Sequence, residues 1–312
     1  MEFNTKELLL EYAIIAKRRF FKKEKIRFIK SIEGKFKKLG YKTSLLSPKN
    51  SKGNAINLLI GNVLEAETII IANYDTPIKN FNLFNYHPFD ARKRNILYAI
   101  SALIPSLIIT LLLVFYTSCF IDGIHFIQGE VHWNTFISIV IYSIGILLIA
   151  HYAKGIPNNR NINRNSASVI SLLQCATSRK IQNNNKIAFV LTDFGCVNHL
   201  GDQMLKEYIG KSLSNKRVII LDCIAYGDVF AVAYSSQCKK MVDKLDNQIK
   251  RFKSNHEAIS MPNLYPNCMI ISAGTIKKAI FYCPYVNSRK DIHFSIENIE
   301  YIKSQIVNIV TK

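Results

Sequence analysis

Two long uncharged stretches constrain this chain more than any other feature. From Ile96 to Ile121, 26 consecutive residues contain no Asp, Glu, Lys or Arg, and they include the run from Leu107 to Phe115. As a helix rising about 1.5 Å per residue, such a stretch reaches roughly 39 Å, which covers a hydrocarbon core of about 30 Å with tilt to spare. Trp133 to Tyr152 is a second uncharged stretch of 20 residues. Apolar runs of about 10–14 residues suit buried core helices, and these two are far longer. They predict a transmembrane hairpin over residues 94–153, with spans at about 96–121 and 133–152. Pro105 lies inside the first span, where a membrane helix tolerates it with a kink.

The flanks predict the topology. Arg92, Lys93 and Arg94 precede the first span, Lys154 and Arg160 follow the second, and the loop from Asp122 to His132 holds no Lys or Arg. The positive-inside rule then places the loop outside and both termini in the cytoplasm of a multi-pass membrane protein. The first 20 residues carry Lys6, Glu7, Glu11, Lys17, Arg18 and Arg19, so no cleavable secretory signal is expected. Seven Cys without a framework spacing suit a reducing compartment. His125 and His132 flank the loop and His151 ends the second span, with Trp133 at interface depth; interfacial roles are expected for all four.

Charge and hydropathy now fit together. A net charge of +19 beside a mean hydropathy of +0.09 is what apolar spans plus a basic remainder would produce. With 49% hydrophobic residues the chain is too apolar to be disordered. The first 50 residues hold 14 Lys and Arg against 5 Glu. Anionic lipid is the expected partner of that charge, and nucleic acid is not, because no aromatic stacking motif accompanies it. No phosphate-binding glycine pattern and no paired CxxC supports a nucleotide or zinc-ribbon site.

Residues 1–93 and 154–312 are predicted to form one discontinuous α/β domain. Ile26, Ile29, Ile32, Phe36 and Leu39 recur at helical spacing among lysines, and Gly40 ends that helix. β-Branched runs over 55–60, 68–72, 186–191 and 218–221 predict strands, with 279–282 a further candidate. Residues 163–174, 201–209 and 295–310 predict helices. Strands alternating with helices imply a mixed, mostly parallel sheet sandwiched by helices.

In this order the pieces resemble peptidase family 28, the di-zinc aminopeptidases and glutamate carboxypeptidases. The resemblance rests on Asn57 to Gly61, Thr68 to Asp75, Asn163 to Ile170, Phe189 to Gly201, Leu221 to Gly227 and Asn287 to Asp291. It implies a chemistry in which imidazoles and carboxylates hold two zinc ions and a separate Glu serves as general base. Carried over position by position, the first ligand His falls on Asn73, while the Asp two residues on is kept as Asp75. The bridging Asp falls on Arg164, beside a retained Asn165. The paired Glu-Glu falls on Gly195 and Cys196, the next Asp ligand is kept as Asp222, and the last ligand His falls on Asn287.

One ligand of five survives and the base is lost, so zinc is expected to be absent and no other cofactor is indicated. The resemblance then implies a pseudopeptidase, using its cytoplasmic domain to bind a peptide or a membrane-protein partner. Degenerate members of the nicastrin and nicalin type are components of membrane complexes. Alternatives are a hydrolase with a rebuilt site, for instance Cys196 as nucleophile with His199 as base, and an accessory or immunity component of a membrane transport or peptide-processing complex. A thiolate site from Cys196, Asp222 and Cys223 is disfavoured, since neighbours along a strand face opposite ways.

Overall fold

Three of the β-branched runs become adjacent parallel strands at the centre of a sheet that has nine strands among the described residues. In the computed structural model, the described residues are 3–48, 55–80, 85–120, 133–153, 155–253 and 264–311. The loop from Asp122 to His132, with His125 and His132, and the flanking Lys154 lie outside them. The chain divides into two compact units, Met1–Asn95 with Pro157–Lys312, and Ile96–Ile156.

In the first unit the strands are β1 (Thr43–Leu46), β2 (Asn57–Ile60), β3 (Thr68–Asn73), β4 (Ile187–Thr192), β5 (Arg217–Leu221), β6 (Val229–Tyr234), β7 (Lys250–Lys253), β8 (Cys268–Lys277) and β9 (Ile280–Tyr282). Their order is β1-β2-β4-β3-β5-β8-β6-β7, with β9 on β8. β4, β3, β5 and β8 run parallel, while β2 and β6 join them antiparallel. Every residue of β3 and β4 is buried, as expected of strands covered on both faces.

Alternate residues of these strands feed two core layers. Ile70, Ala72, Phe189, Leu191, Ile219 and Leu221 share one core with helices α1 (Thr5–Leu9), α2 (Lys22–Lys38), α5 (Ala167–Thr177) and the C-terminal helix Ile296–Thr311. Ile69, Ile71, Ala188, Val190, Val218 and Ile220 line the other layer. There they meet Leu205 and Ile209 of the helix Leu200–Ile209. The β3-to-β4 and β4-to-β5 crossovers thus cover opposite faces. Their divergence opens a switch point beyond the C-terminal end of β3, which is where open α/β sheets place their sites.

Several elements depart from the sequence expectation. The helix expected from Asn163 begins instead with a buried π turn, Ile162–Ser166, before α5 proper. β1, β6, β7 and β8 were not foreseen. β8 runs through Ser272, Ala273 and Gly274, which carry neither β-branched side chains nor alternation, although the strand sits between β5 and β6.

The second unit consists of α4 (Trp133–Tyr152) and all but the first turn of α3 (Ala91–Phe120). Both helices are long and apolar enough to cross a membrane. Their 18-residue windows have mean hydropathies of 2.4 and 1.9 and are only 17% and 11% buried, whereas the central helix of a soluble core is mostly buried. Small and hydroxyl residues join the pair, as between membrane helices. Gly145 lies against Leu113, where a Cβ would stand 2.7 Å from Cδ1, and the hydroxyls of Tyr116 and Ser138 are 3.1 Å apart.

Candidate functional site

The C-terminal ends of β3, β4 and β5 each deliver a buried aspartate, Asp75, Asp193 and Asp222. Three carboxylates held at one sheet edge demand cations, and side chains supply them. Arg164, on the π turn, donates from Nη1 to Asp222 Oδ1 and, at 3.3 Å, to Asn165 Oδ1. Its guanidinium lies 4.6 Å from the centre of the Tyr86 ring. Tyr86 in turn donates its hydroxyl to Asp222 Oδ2 at 2.8 Å, and Arg94 Nη1 stands 4.0 Å from the same oxygen.

Asp193 is paired with Lys25 of α2 at 2.5 Å, and both side chains are at most 5% exposed. It also accepts from the backbone N–H of Ile56 and Phe194, and the Lys25 ammonium lies 3.6 Å from the centre of the Phe194 ring. Burial pushes the Asp193 carboxyl up to about 6, against the pull of Lys25. Asp75 accepts at Oδ2 from the Cys196 N–H, 3.2 Å away. Behind it Arg19 is fully buried, bonded to Asn161 and Ser166. Burial pushes its guanidinium down to about 10, with Asp75 acting the other way.

Asn73 accepts from Thr192 Oγ1 at 2.6 Å, and its side chain lies over Gly195, where a Cβ would come within 2.1 Å of Asn73 Cγ. A side chain at 195, glutamate included, therefore has no room while Asn73 keeps its place. Asn165 donates from Nδ2 to the Asp75 carbonyl and to Cys196 Sγ, the latter at 3.1 Å. Burial pushes the Cys196 thiol well above its ordinary range, so it is not a ready thiolate. His199 bonds through Nδ1 to Asp202 at 2.9 Å, and among the described residues no hydrogen bond joins it to Cys196. Asp202 is held in turn by the Tyr265 hydroxyl.

Asn287 backs the site at φ +62, one of five non-glycine residues among the described residues of its loops held between φ +55 and +64. The others are Phe194, His199, Cys223 and Tyr285. Such backbone persists only where surroundings over-determine it. The left-handed turn at Cys223 also corrects the strand-alternation expectation. β5 ends at Leu221, so the chain folds back and brings the Cys223 thiol 3.2 Å from Asp222 Oδ1.

Asp291 closes the back wall. It accepts from the backbone N–H groups of Asn163, Arg164 and Asn287, yet burial still pushes its carboxyl up to about 7. A carboxyl raised from an ordinary 3.8 holds its proton in the folded chain after the unfolded chain has lost it. Stability from Asp291 is therefore fully present below pH 4 and declines up to about 7. The melting temperature is expected to fall across that window, and Asp291→Asn to flatten its upper part. An unchanged slope in thermal unfolding of the variant would contradict the assignment.

Asn73, Asp75, Arg164, Asn165, Gly195, Cys196 and Asp222 all meet at this edge. The sequence reasoning missed Arg19, Lys25, Tyr86, Asp193 and Asp291. For Asp193 a signal was present, because each of the three central strands runs into an aspartate within two residues of its end.

The donor set does not fit a two-zinc centre. A guanidinium occupies the position that the resemblance gives to the bridging carboxylate, amides stand at both histidine positions, and Asp222 is already saturated by Arg164 and Tyr86. Among the described residues no three His, Cys, Asp or Glu side chains are grouped as metal ligands.

The fold is that of the aminopeptidase-like α/β proteins. Porphyromonas gingivalis glutaminyl cyclase superimposes with a TM-score of 0.57 at 9% identity, covering 99% of each chain. A Legionella pneumophila aminopeptidase, LapA, gives 0.55 at 10% identity over 98% of this chain and 70% of that one. A Zn-dependent exopeptidase from Parabacteroides distasonis gives 0.53 at 12% identity over 100% and 99%. No family model matches the chain, and no curated protein matches it.

Proposed function

We propose that this chain is a membrane-anchored pseudopeptidase: a protein of the aminopeptidase-like fold that binds no catalytic zinc and uses its cytoplasmic unit to hold a peptide or a membrane-protein partner. One observation carries the reading. The Arg164–Asp222 pair, closed over by Tyr86, fills the position where the fold's chemistry requires a dication, and an always-charged guanidinium repels one. α3 and α4 serve as the two spans, with both termini on the cytoplasmic side by the distribution of Lys and Arg.

A rebuilt active site is the weaker reading, because Cys196 and His199 are each committed to other partners. The test is metal content. Protein purified without metal and then dialysed against zinc is expected to retain far less than one ion per chain. Close to two ions per chain, measured by elemental analysis, would sink the proposal.

A further inference from the structure

We propose that the N-terminal surface of the first unit, formed by the π turn Leu10–Ile15 and the segment Lys17–Lys23, docks on the face of an anionic lipid bilayer. This rests on the reading of the chain as an integral membrane protein and adds to it a second, peripheral membrane contact. α1 and the turn after it are amphipathic in an unusual sense. Leu8, Leu9, Tyr12 and Ala13 are buried in the core, while Leu10, Ile14 and Ile15 are 52%, 55% and 73% exposed.

The π geometry, closed by the Ala16 N–H on the Glu11 carbonyl at 2.8 Å, widens the turn. Ile14 and Ile15 consequently both point away from the core beside Leu10, which an apolar residue does at a cost unless something covers it. Phe21 is 46% exposed and extends the apolar surface.

In the segment that follows the turn, Lys17, Arg18, Lys22 and Lys23 are all exposed, with the Arg18 guanidinium 5.0 Å from the centre of the Phe21 ring. The central arginine of the segment is turned inward. Arg19 is fully buried, its guanidinium 4.6 Å from the centre of the Phe28 ring and its backbone N–H bonded to Thr76 Oγ1 at 2.6 Å. That anchor fixes the segment so that its four remaining cations face outward with Phe21. Of the nearby acids, Glu11 is held by Lys35 at 2.7 Å and Glu24 by Arg18 at 3.0 Å, while Glu7 of α1 is exposed one turn before Leu10 and is outnumbered by the cations of the segment. Exposed isoleucine and phenylalanine beside a run of exposed lysine is the composition of an interfacial contact, in which apolar side chains enter the acyl boundary and cations meet phosphate and carboxylate headgroups.

A depth probe in the full chain tests this. Trp133 is the sequence's single tryptophan, so Ile15→Trp in a Trp133→Phe background reports one position. Reconstituted in phosphatidylcholine–phosphatidylserine vesicles with brominated acyl chains, the probe is expected to emit to the blue and be quenched. In pure phosphatidylcholine, in high salt, or with Lys17, Arg18, Lys22 and Lys23 changed to Glu, the quenching is expected to be lost. A Leu45→Trp probe on β1 should stay unquenched throughout.

No quenching at position 15 in the anionic vesicles, with the chain still resisting alkaline carbonate extraction, overturns the docking surface alone. Release by carbonate overturns the integral reading instead. Quenching that is equal in neutral vesicles overturns the role of the cations. A blue shift without quenching that grows with protein-to-lipid ratio assigns the surface to a second copy of the chain and overturns the proposal.

Discussion

Replacing Arg164 with Met is expected to destabilise the protein by about 3–5 kcal/mol, the usual consequence of leaving one member of a buried ion pair alone. For a domain of this size that lowers the melting temperature by roughly 6–20 °C. Asp222 would keep the Tyr86 hydroxyl, the Cys223 thiol and Arg94 Nη1 at 4.0 Å, but the first two carry no positive charge and Arg94 stands beyond hydrogen-bond reach of a carboxylate that is 3% exposed. Lysine should not rescue the variant, because a single ammonium cannot reach Asp222 and Asn165 together while lying flat on the Tyr86 ring. Arg164→Met combined with Asp222→Leu should recover much of the loss, since replacing both members of a buried pair by apolar groups is often neutral. Calorimetry of the full chain in detergent reads all three. A single variant within about 1 kcal/mol of the original would show that the pair does not neutralise the site.

Lys25→Met should have an effect of similar size and a distinctive pH dependence. Asp193 already holds its proton up to about pH 6 because burial opposes its charge, and Lys25 is what keeps that value from rising further. A carboxyl raised in the folded state contributes stability at low pH and loses it as pH climbs from about 4 to its folded value. Without Lys25 the upper limit of that window moves upward. The variant should therefore lie near the original at pH 5, where Asp193 is protonated, and fall furthest behind at pH 8, by about 3–5 kcal/mol. Melting temperatures measured at half-unit pH intervals decide the matter. A deficit that is constant with pH would mean that Lys25 acts through packing against Phe194 and not through its charge.

The sequence disclosed the fold well wherever local chemistry and tertiary position agree. The Ile-rich run at Thr68–Asn73 could hardly be anything but a buried strand, and the uncharged stretches at 96–121 and 133–152 announced two helices of membrane length. β8 escaped because its burial comes from β5 and β6 on either side and not from its own pattern. The site was half legible. Substituted positions such as Asn73, Arg164 and Gly195 stand out against a resemblance. Their replacements' partners do not, because Lys25 and Asp193 are 168 residues apart and only the packing of α2 on the sheet brings them together. Lys25 also sits in a run of lysines in which nothing local marks it as the one turned inward.

The countercharge of Asp222 has a consequence for the chain's dependence on its surroundings. An ion bound at a strand end leaves when its free concentration falls, so the stability it lends follows mass action. Arg164 is joined to Asp222 through the same polypeptide and cannot be diluted away or captured by a competing chelator. The stability that this pair lends to the end of β5 therefore does not follow the free concentration of an ion.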